Sequence, residues 1–321
     1  MRAVLTGCAG FLGSHLAERL LADGWRVTGV DAFTDYYDPA EKEANVAALA
    51  GEPRFDLVRA DVTTAPLGAL LADRPVVVHL AAQPGVRVSF GEGFERCVRD
   101  NVLATQRVLE AALAAGCPRV VYASSSSVYG ELSGRRPCTE DDATRPRSPY
   151  GVSKRTCEHL ADVYRSLGLD VVGLRYFTVY GPRQRPDMAM RRLCEAALGG
   201  PEFELYGDGT QSRDFTHVAD AVDATVRAMA ARDPGFVLNV GGGEEATMLD
   251  VLAILGRLAG APVPVVAGPA QRGDVHRTGA DTTRARRRLG WAPRVTLVDG
   301  LRSELDWVAA RRPAPALRRA S

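Results

Sequence analysis

The sequence predicts an α/β protein built on a doubly wound parallel sheet, followed by a smaller C-terminal α/β lobe. Short apolar runs rich in β-branched residues alternate with amphipathic helical stretches through the first half of the 321-residue chain. These runs are continuously apolar, which is typical of strands covered by helices on both faces. Hydrophobic residues make up 46% of the chain, which is enough for a large buried core.

The predicted sheet takes its first six strands from the part of the chain before residue 177. They are expected at 2–6, 25–30, 54–60, 75–82, 118–125 and 169–176. The helices between them are expected at 11–23, 93–115 and 149–167. Each of these helices is followed by a glycine, which readily takes the backbone conformation that ends a helix.

The second half of the chain has a different character. Loops rich in Gly, Pro and Arg are expected at 181–192 and 206–218, and helices at 217–231, 247–259, 281–289 and 297–310. The run 236–241 has the pattern of one more core strand, so segments near 211–241 are expected to return to the first domain. The predicted units are a first domain over 1–176, a second lobe over 177–312 and a frayed, Pro-interrupted tail over 313–321.

The composition excludes several classes of function. The 40 Lys and Arg residues balance 39 Asp and Glu residues, and a net charge of +1 gives no reason to expect a nucleic acid or a membrane surface as partner. No apolar run approaches the ~18 residues of a membrane span, and the N-terminus does not read as a signal peptide. The six cysteines are scattered without metal-ligand spacing, so we expect reduced thiols, no bound metal and a cytoplasmic location.

One glycine motif joins the first strand to the first helix. Gly7, Gly10 and Gly13, with Phe11 and Leu12 among them, let the backbone approach a pyrophosphate at the positive end of the helix. A carboxylate at the end of the second strand, Asp31, can bind both hydroxyls of an adenosine ribose and repels a 2′-phosphate. The arrangement predicts a Rossmann-type domain that binds NAD in preference to NADP.

Two more strand ends indicate the same cofactor, since open α/β sheets bind ligands at the carboxyl ends of their strands. The expected contacts are Asp61 and Val62 after the third strand, and Leu80, Ala81 and Ala82 after the fourth. The small side chains at 81 and 82 allow a cofactor to lie close. His79, in the fourth strand, is interpreted as a hydrogen-bonded strand residue and not as a catalyst.

A second motif places Tyr150 and Lys154 one turn apart on a predicted helix. A phenol is a poor base at neutral pH, but a neighbouring lysine and a positive nicotinamide ring favour its phenolate. The strand before this helix ends in four serines, Ser124, Ser125, Ser126 and Ser127. One of these hydroxyls can therefore bridge the tyrosine and a substrate hydroxyl.

The glycine motif, the serine run and the Tyr-x-x-x-Lys pair together resemble the extended short-chain dehydrogenase/reductase superfamily, over nearly the whole chain. The segments 121–130, 174–188 and 209–218 are similar to those of nucleotide-sugar 4-epimerases. The resemblance implies a catalytic set of Ser125, Tyr150 and Lys154. The further cofactor contacts expected are Asn101, Ser124, Tyr150, Lys154 and Tyr176.

The resemblance also implies a UDP-sugar as substrate, bound by the second lobe. The residues that match the family's pyrophosphate arginines are Arg213 and Arg272, and Asp274 matches the residue that holds the uridine ribose. The segment from Phe203 to Tyr206 matches the one beside the uracil. Arg87 and Arg191 are further substrate-binding candidates.

Several features resemble UDP-glucuronate 4-epimerases more than UDP-galactose 4-epimerases. Thr178 stands where the latter carry Asn, and the following stretch places Arg185 to meet a carboxylate, a contact that selects a uronate over a hexose. The segments 35–38 and 81–87 are also similar to that family. Ser126, Ser127, Thr178 and Arg185 are expected beside the sugar, and Ser127 stands where dehydratases and decarboxylases place an acid.

The sequence therefore predicts an NAD-dependent isomerase that interconverts UDP-glucuronate and UDP-galacturonate. Tyr150, assisted by Ser125, would take the 4-hydroxyl proton as C4 passes a hydride to NAD⁺, and the rotated 4-keto sugar would take the hydride back. The alternatives are a UDP-glucose/UDP-galactose 4-epimerase, a UDP-glucuronate decarboxylase and a non-enzymatic NAD-sensing protein. The family habit implies a homodimer formed through the helices at 93–115 and 149–167.

Overall fold

A computed structural model describes residues 1–131, 134 and 136–312 of the protein. Its strands are β1 (Arg2–Thr6), β2 (Arg26–Asp31), β3 (Phe55–Arg59), β4 (Val76–His79), β5 (Val120–Ser125), β6 (Val171–Tyr176), β7 (Val179–Tyr180), β8 (Phe203–Tyr206), β9 (Ser212–Asp214), β10 (Thr216–His217), β11 (Val237–Val240), β12 (Glu245–Thr247) and β13 (Val265–Gly268). Its helices are α1 (Phe11–Ala22), α2 (Pro39–Ala47), α3 (Leu67–Leu70), α4 (Gly93–Cys97), α5 (Ala104–Ala115), α6 (Pro149–Ser166), α7 (Ala189–Ala197), α8 (Val218–Ala230), α9 (Met248–Ala259), α10 (Thr283–Leu289) and α11 (Leu297–Ala310). The predicted tail, 313–321, lies outside the described residues.

Seven strands form one parallel sheet in the order β11-β6-β5-β4-β1-β2-β3. The chain first extends the sheet from β1 through β2 to β3, then crosses to the other side of β1 with β4 and continues through β5 and β6. This reversal places the crevice of an open α/β sheet beside the carboxyl ends of β1 and β4. The doubly wound fold predicted from the sequence is confirmed.

Helices cover both faces of this sheet, so each central strand contributes to two cores. On β1, Ala3 and Leu5 pack into a core that α1 and α8 also line, whereas Val4 packs into a core shared with α5 and α6. On β4, Val78 packs into the first of these cores and Val77 packs into the second. Because neither face meets water, the strands have unbroken apolar sequences.

A third core lies in the C-terminal lobe, where α7, α9 and α11 pack around Leu193, Val251 and Leu301. The chain leaves the sheet after β6 and later returns to it, since β11 pairs with β6 and α8 packs against α1. The segment after α10 also packs against the sheet domain. The Trp291 indole is buried in the first core and donates to the carbonyl oxygen of Asp220 at 3.1 Å.

Several local features differ from the sequence prediction, and the short elements α3, β7, β8, β9, β10, β12 and β13 were not predicted. The expected loop over 181–192 contains the start of α7, and α2 was not predicted although Asp38 caps it and Pro39 occupies its first turn. The helix expected over 93–115 widens into π-helical turns at Val98–Leu103, between α4 and α5. Apolar periodicity does not identify such turns, because they are fixed by tertiary contacts of the residues they carry.

An ion pair joins β5 and β6 at their amino ends. Arg119, just before β5, donates to Asp170, just before β6, from Nε at 3.0 Å and from a terminal nitrogen at 2.6 Å. The same guanidinium donates to the carbonyl oxygen of Ala228 on α8 at 3.0 Å. The pair therefore joins the two strands at their amino ends, on the side of the sheet opposite the crevice.

Within the described ranges, no helix combines the length and the apolar character that crossing a membrane requires. In the same residues, no three His, Cys, Asp or Glu side chains are grouped to hold a metal ion. All six cysteines are buried and unpaired.

His79 is fully enclosed behind the crevice, between β1 and α5. Its Nδ1 lies 2.8 Å from the Thr6 hydroxyl and its Nε2 lies 3.2 Å from the Thr105 hydroxyl, so both ring nitrogens have partners. Burial, reinforced by the positive charge of Lys154, lowers the pKa of His79 to about 3. The imidazole is therefore neutral in the folded protein, as a structural strand residue.

This depressed pKa predicts an acid-sensitive contribution to stability. The unfolded chain binds a proton at His79 below its ordinary pKa of ~6.5, whereas the folded chain does not. The contribution is therefore complete above pH ~6.5 and is lost as the pH falls toward the folded pKa, by up to about 1.4 kcal/mol per pH unit. In urea unfolding measured at about pH 7.5 to about pH 5, the free energy of unfolding of His79→Gln should fall less steeply toward acid pH than that of the wild type. The exposed His159→Gln serves as the control, and an unchanged slope in His79→Gln would contradict the assignment.

Candidate active site

The turn between β1 and α1 is built so closely that only glycine fits. Gly7 has a φ of +72°, and a Cβ added to it would lie 2.7 Å from the Ala81 nitrogen. A Cβ on Gly13 would lie 2.0 Å from the Gly7 carbonyl oxygen. No side chain caps the start of α1, where Gly10 is the N-cap residue, so the first N–H groups of the helix can receive an anion.

A cavity of about 460 Å³ lies at the carboxyl edge of the sheet, against this turn. Most of the residues predicted from the sequence line it. They are Gly7, Gly10, Phe11, Leu12, Gly13, Asp31, Asp61, Val62, Leu80, Ala81, Ala82, Ser124, Ser125, Ser126, Ser127, Tyr150, Lys154, Tyr176, Thr178 and Arg185. The structure thus brings the glycine turn, the serine run and the Tyr/Lys pair together around one cavity.

Asp31 is held at one end of the cavity by three donors. Its carboxylate accepts from the backbone nitrogens of Ala9 at 3.1 Å and Phe33 at 2.8 Å, and Lys42 Nζ lies 3.4 Å away. Lys42 was not among the predicted site residues. The available signal was its rarity, since Lys42 and Lys154 are the two lysines of the chain and both line the cavity.

Asp61 is held in a similar way beside Asp31. It accepts from the Thr63 backbone nitrogen at 2.8 Å and the Thr63 hydroxyl at 2.7 Å, and Arg99 forms an ion pair with it. Burial raises the pKa of Asp61, but the hydrogen bonds from Thr63 and Arg99 outweigh burial and hold the pKa below its usual value. Asp61 is therefore an ionised acceptor, and Arg99 is a contact that the sequence analysis missed.

The candidate catalytic groups come from β5 and α6. Ser125 Oγ accepts from the Ser127 backbone nitrogen at 3.1 Å and donates to the Ser127 hydroxyl at 3.1 Å, within the turn that follows β5. Tyr150 lies in the first turn of α6, whose N-cap Ser148 accepts from the Gly151 nitrogen at 3.1 Å. Lys154 Nζ donates to the Ala123 carbonyl oxygen at 2.9 Å and lies 5.9 Å from the centre of the Tyr150 ring.

Arg185 lines the cavity together with Thr178. Its guanidinium donates to Asp187 from Nε at 2.9 Å and from a terminal nitrogen at 3.0 Å, and it stacks over Tyr36 with 5.7 Å to the ring centre. The Tyr36 hydroxyl also donates to Asp187, at 3.2 Å. Burial opposes the charge of Arg185, but Asp187 outweighs it and raises the pKa of the guanidinium. Asp187 and Tyr36 were not predicted.

A second group of predicted residues lies beside the cavity, where the C-terminal lobe meets the loop after β4. Arg87 donates to Asp274 at 2.8 Å and its guanidinium lies 4.3 Å from the centre of the Tyr206 ring. Arg213 donates to backbone carbonyl oxygens of Ser212 and His276. The Arg272 guanidinium lies 4.4 Å from the centre of the Phe90 ring. The residues expected to bind the diphosphate and the uridine ribose are therefore grouped beside the cavity.

Three further predicted contact residues do not line the cavity. Arg191 is ion-paired with Glu41 and Glu195 in a separate surface cavity. Phe203 is buried in the core of the C-terminal lobe.

Asn101 is the third of these residues, and its amide group bonds within the protein. It accepts from the Gln83 backbone nitrogen at 2.7 Å and donates to the Gln83 carbonyl oxygen at 3.1 Å and to the Ser153 hydroxyl at 2.9 Å. Asn101 therefore holds the cavity wall against α6 from behind, and it does not line the cavity.

Residues 3–241 match the model of the NAD dependent epimerase/dehydratase family. The chain belongs to this family. It is 41% identical to the UDP-glucuronic acid 4-epimerase of Bacillus cereus in complex with UDP-glucuronic acid and NAD, with a TM-score of 0.93 over 97% of this chain and 99% of that chain.

Two other relatives differ in the sugar that their names give. MoeE5 in complex with UDP-glucuronic acid and NAD is 42% identical, with a TM-score of 0.88 over 97% of this chain and 99% of that chain, and MoeE5 is also known in complex with UDP-glucose and NAD. An uncharacterized UDP-glucose epimerase of Bacillus subtilis (strain 168), YtcB, is 40% identical over 313 residues, which are 97% of this chain and 98% of that protein.

The cofactor prediction is confirmed, since the family is NAD dependent and the solved relatives hold NAD. The cavity fits the dinucleotide. The start of α1, which no side chain caps, lines the cavity through Gly10, Phe11 and Leu12, and the Asp31 carboxylate has acceptor capacity for ribose hydroxyls.

Proposed function

We propose that the protein interconverts UDP-glucuronate and UDP-galacturonate by inverting C4 of the sugar. The family and the relatives make it an NAD-dependent nucleotide-sugar epimerase, and the proposal concerns the choice of sugar. The observation that carries this choice is the Arg185 guanidinium in the same cavity as the hydroxyls of Ser126, Ser127 and Thr178.

A guanidinium that shares the cavity with several hydroxyl groups suits the C5 carboxylate of a uronate. A guanidinium has five N–H donors, and Asp187 takes two of those of Arg185, so donors remain for a second carboxylate. A neutral hydroxymethyl group, as in UDP-glucose, gains less from such a site. The relatives bound to UDP-glucuronic acid support the same substrate class.

The reaction follows from the groups on β5 and α6. When bound, NAD supplies the acceptor and then the donor of the C4 hydride. Tyr150 takes the proton of the 4-hydroxyl, and the Ser125 hydroxyl, at the strand end, hydrogen-bonds the same oxygen. Lys154, fixed to the Ala123 carbonyl oxygen, stabilises the negative charge that develops on the Tyr150 oxygen. After the 4-keto sugar turns over, Tyr150 returns the proton to the new 4-hydroxyl.

The nucleotide is assigned to the group of residues beside the cavity. Arg213 and Arg272 would hold the diphosphate, as planar guanidinium groups do well. Asp274 would hold the uridine ribose, but in this structure its carboxylate is paired with Arg87. Binding therefore exchanges one partner for another: a phosphate takes Arg87 and the ribose hydroxyls take Asp274.

A UDP-glucose/UDP-galactose 4-epimerase is the second candidate. It is favoured by the Asp187 carboxylate, which balances the charge of Arg185 and so weakens its attraction for a uronate. MoeE5, which is known with UDP-glucose as well, supports this alternative. A decarboxylase is less favoured, because Ser127 stands where an acid is expected.

A homodimer is part of the proposal. Large apolar side chains are exposed on α4 to α6 and the turns beside them, namely Phe94, Val98, Leu103, Val152, Val163 and Leu167. Covering such a surface with a second copy removes it from water. Sedimentation equilibrium should give twice the chain mass of 34.4 kDa, and a mass of one chain would contradict the dimer.

The substrate is tested by incubating the protein separately with UDP-glucuronate and UDP-glucose and resolving the products by chromatography and NMR. We expect UDP-galacturonate from UDP-glucuronate, with no net formation of NADH. Conversion of UDP-glucose alone would favour the second candidate, and release of CO₂ would favour the decarboxylase. Tightly bound NAD without turnover of either sugar would indicate a sensing protein.

The role of Tyr150 is tested by Tyr150→Phe. This change removes the proton-accepting oxygen and little else, so kcat should fall by about a hundredfold or more while NAD and UDP-sugar still bind. Ser125→Ala should lower kcat less, by about tenfold, since it removes one hydrogen bond of the transition state. Tyr164→Phe is the matched control, because Tyr164 lies on the same helix and its hydroxyl bonds Gln106 and Glu110. Near-normal turnover of Tyr150→Phe would exclude Tyr150 as the base.

The role of Arg185 is tested by comparing two sugars. In Arg185→Ala, kcat/KM should fall by about tenfold to a hundredfold for UDP-glucuronate and much less for UDP-glucose, because only the former loses a charged hydrogen bond. Asp187→Asn should act in the opposite direction and increase the preference for UDP-glucuronate. Equal effects on both sugars would show that Arg185 does not discriminate between them.

A further inference from the structure

A buried ion pair lies directly behind the catalytic end of the sheet. Glu158 on α6 is fully buried, and Arg175, the last residue but one of β6, is nearly so. Arg175 donates to the two carboxylate oxygens of Glu158 from Nε and from a terminal nitrogen, each at 2.8 Å. This two-point contact fixes the orientation of both side chains as well as their distance.

The same carboxylate also holds β5. The Ser124 hydroxyl donates to Glu158 Oε1 at 2.6 Å, so one side chain on α6 is bonded to the ends of two strands. Ser124 lines the cavity. Because its single proton is committed to Glu158, Ser124 can face the cavity only as a hydrogen-bond acceptor.

Each of the three joined elements carries a cavity residue close to the bond. Tyr150 and Lys154 lie two turns and one turn before Glu158 on the same face of α6. Ser125 follows Ser124 on β5, and Tyr176 follows Arg175 on β6. Glu158 therefore joins α6 to both strand ends, in addition to the bond from Lys154 to the Ala123 carbonyl oxygen on β5.

Further hydrogen bonds surround the Glu158–Arg175 ion pair. Burial raises the pKa of Glu158, but the hydrogen bonds from Arg175, Ser124 and Arg155 outweigh burial and hold the pKa below its usual value. Behind the pair, Arg175 donates to the Tyr129 hydroxyl at 2.8 Å, and Tyr129 donates to Asn239 Oδ1 on β11 at 2.6 Å. A fully bonded buried network of this kind resists displacement.

We propose that Glu158 is a positioning residue for hydride transfer. Through Arg175 and Ser124 it holds the proton-accepting helix in register with the strand ends that flank the sugar and the nicotinamide. The proposal rests on the roles proposed above for Tyr150 and Ser125, and it applies to either candidate sugar, since both react at C4.

The test is Glu158→Gln, assayed with whichever UDP-sugar the wild type converts. The amide keeps the shape but leaves Arg175 without its anion, so the tie loosens. We expect kcat to fall by about tenfold to a hundredfold, since a misplacement of about 1 Å can lower a rate by about a hundredfold. The KM for the UDP-sugar and the amount of bound NAD should stay as in wild type, because Glu158 touches neither.

Asp170→Asn is the matched control. The Arg119–Asp170 pair joins the same two strands at their amino ends, away from the cavity. It should lower the unfolding temperature without lowering kcat. If both variants lose kcat in proportion to their loss of unfolding temperature, Glu158 contributes to general stability only and the positioning role is overturned.

A double variant keeps the test decisive if Glu158→Gln does not fold. Replacing a buried ion pair by apolar residues of similar size is often neutral or stabilising, so Glu158→Met with Arg175→Met should fold. We expect it to show the same fall in kcat at unchanged KM. Wild-type kcat in a folded variant would overturn the positioning role, whereas normal turnover of Tyr150→Phe would overturn the proposed base instead, so the two failures are distinguishable.

Discussion

The parallel register of the sheet is the constraint on which the site depends. Residues that follow β1, β4, β5 and β6 reach the cavity because these strands run in one direction and end at one edge. The register pairs Thr6 with His79 and Ser125 with Tyr176, which aligns the strand ends. A slip of one residue would turn every side chain of a strand to the opposite face, so the buried faces that stabilise the sheet also fix the positions of the cavity groups.

Three carboxylates or cations of the cavity wall are already paired with charged side chains of the protein. Asp31 lies beside Lys42, Asp61 beside Arg99, and Arg185 beside Asp187. A ligand with ribose hydroxyls or a carboxylate therefore competes with protein partners instead of meeting isolated charges. The binding free energy at such a site is the difference between the hydrogen bonds that the ligand makes and the protein hydrogen bonds that it replaces. This favours selectivity between ligands over high affinity.

Local patterns explain which parts could be predicted from the sequence. The continuous apolar strands, the Gly7–Gly13 turn and the Tyr150/Lys154 spacing are each contained in a short segment, and the structure brings these segments together as expected. Contacts between distant segments were missed, such as Arg99 with Asp61 and Tyr36 with Asp187. Nothing in either segment alone signals its partner.

The positions of the predicted contact residues that do not line the cavity have a related cause. Arg191 was a candidate for substrate binding, but α7 turns it toward Glu41 on α2, an element that was not predicted. Asn101 lies where a helix is correctly expected, but π-helical turns decide which neighbours its amide reaches. Positions along the chain were thus predicted better than the directions of side chains, because direction depends on helix packing that periodicity does not encode.

The late return of the chain to its first core has a consequence for how the polypeptide is made. Trp291 fills the core that α1 and α8 line, and it is separated from β1 by almost the whole chain. During synthesis from the N-terminus, that core stays open until the segment after α10 has left the ribosome, and apolar surface on α8 remains uncovered until then. The matched stretch 3–241 therefore does not contain the whole of its own core, because Ala285, Leu289 and Trp291, about fifty positions further on, complete it.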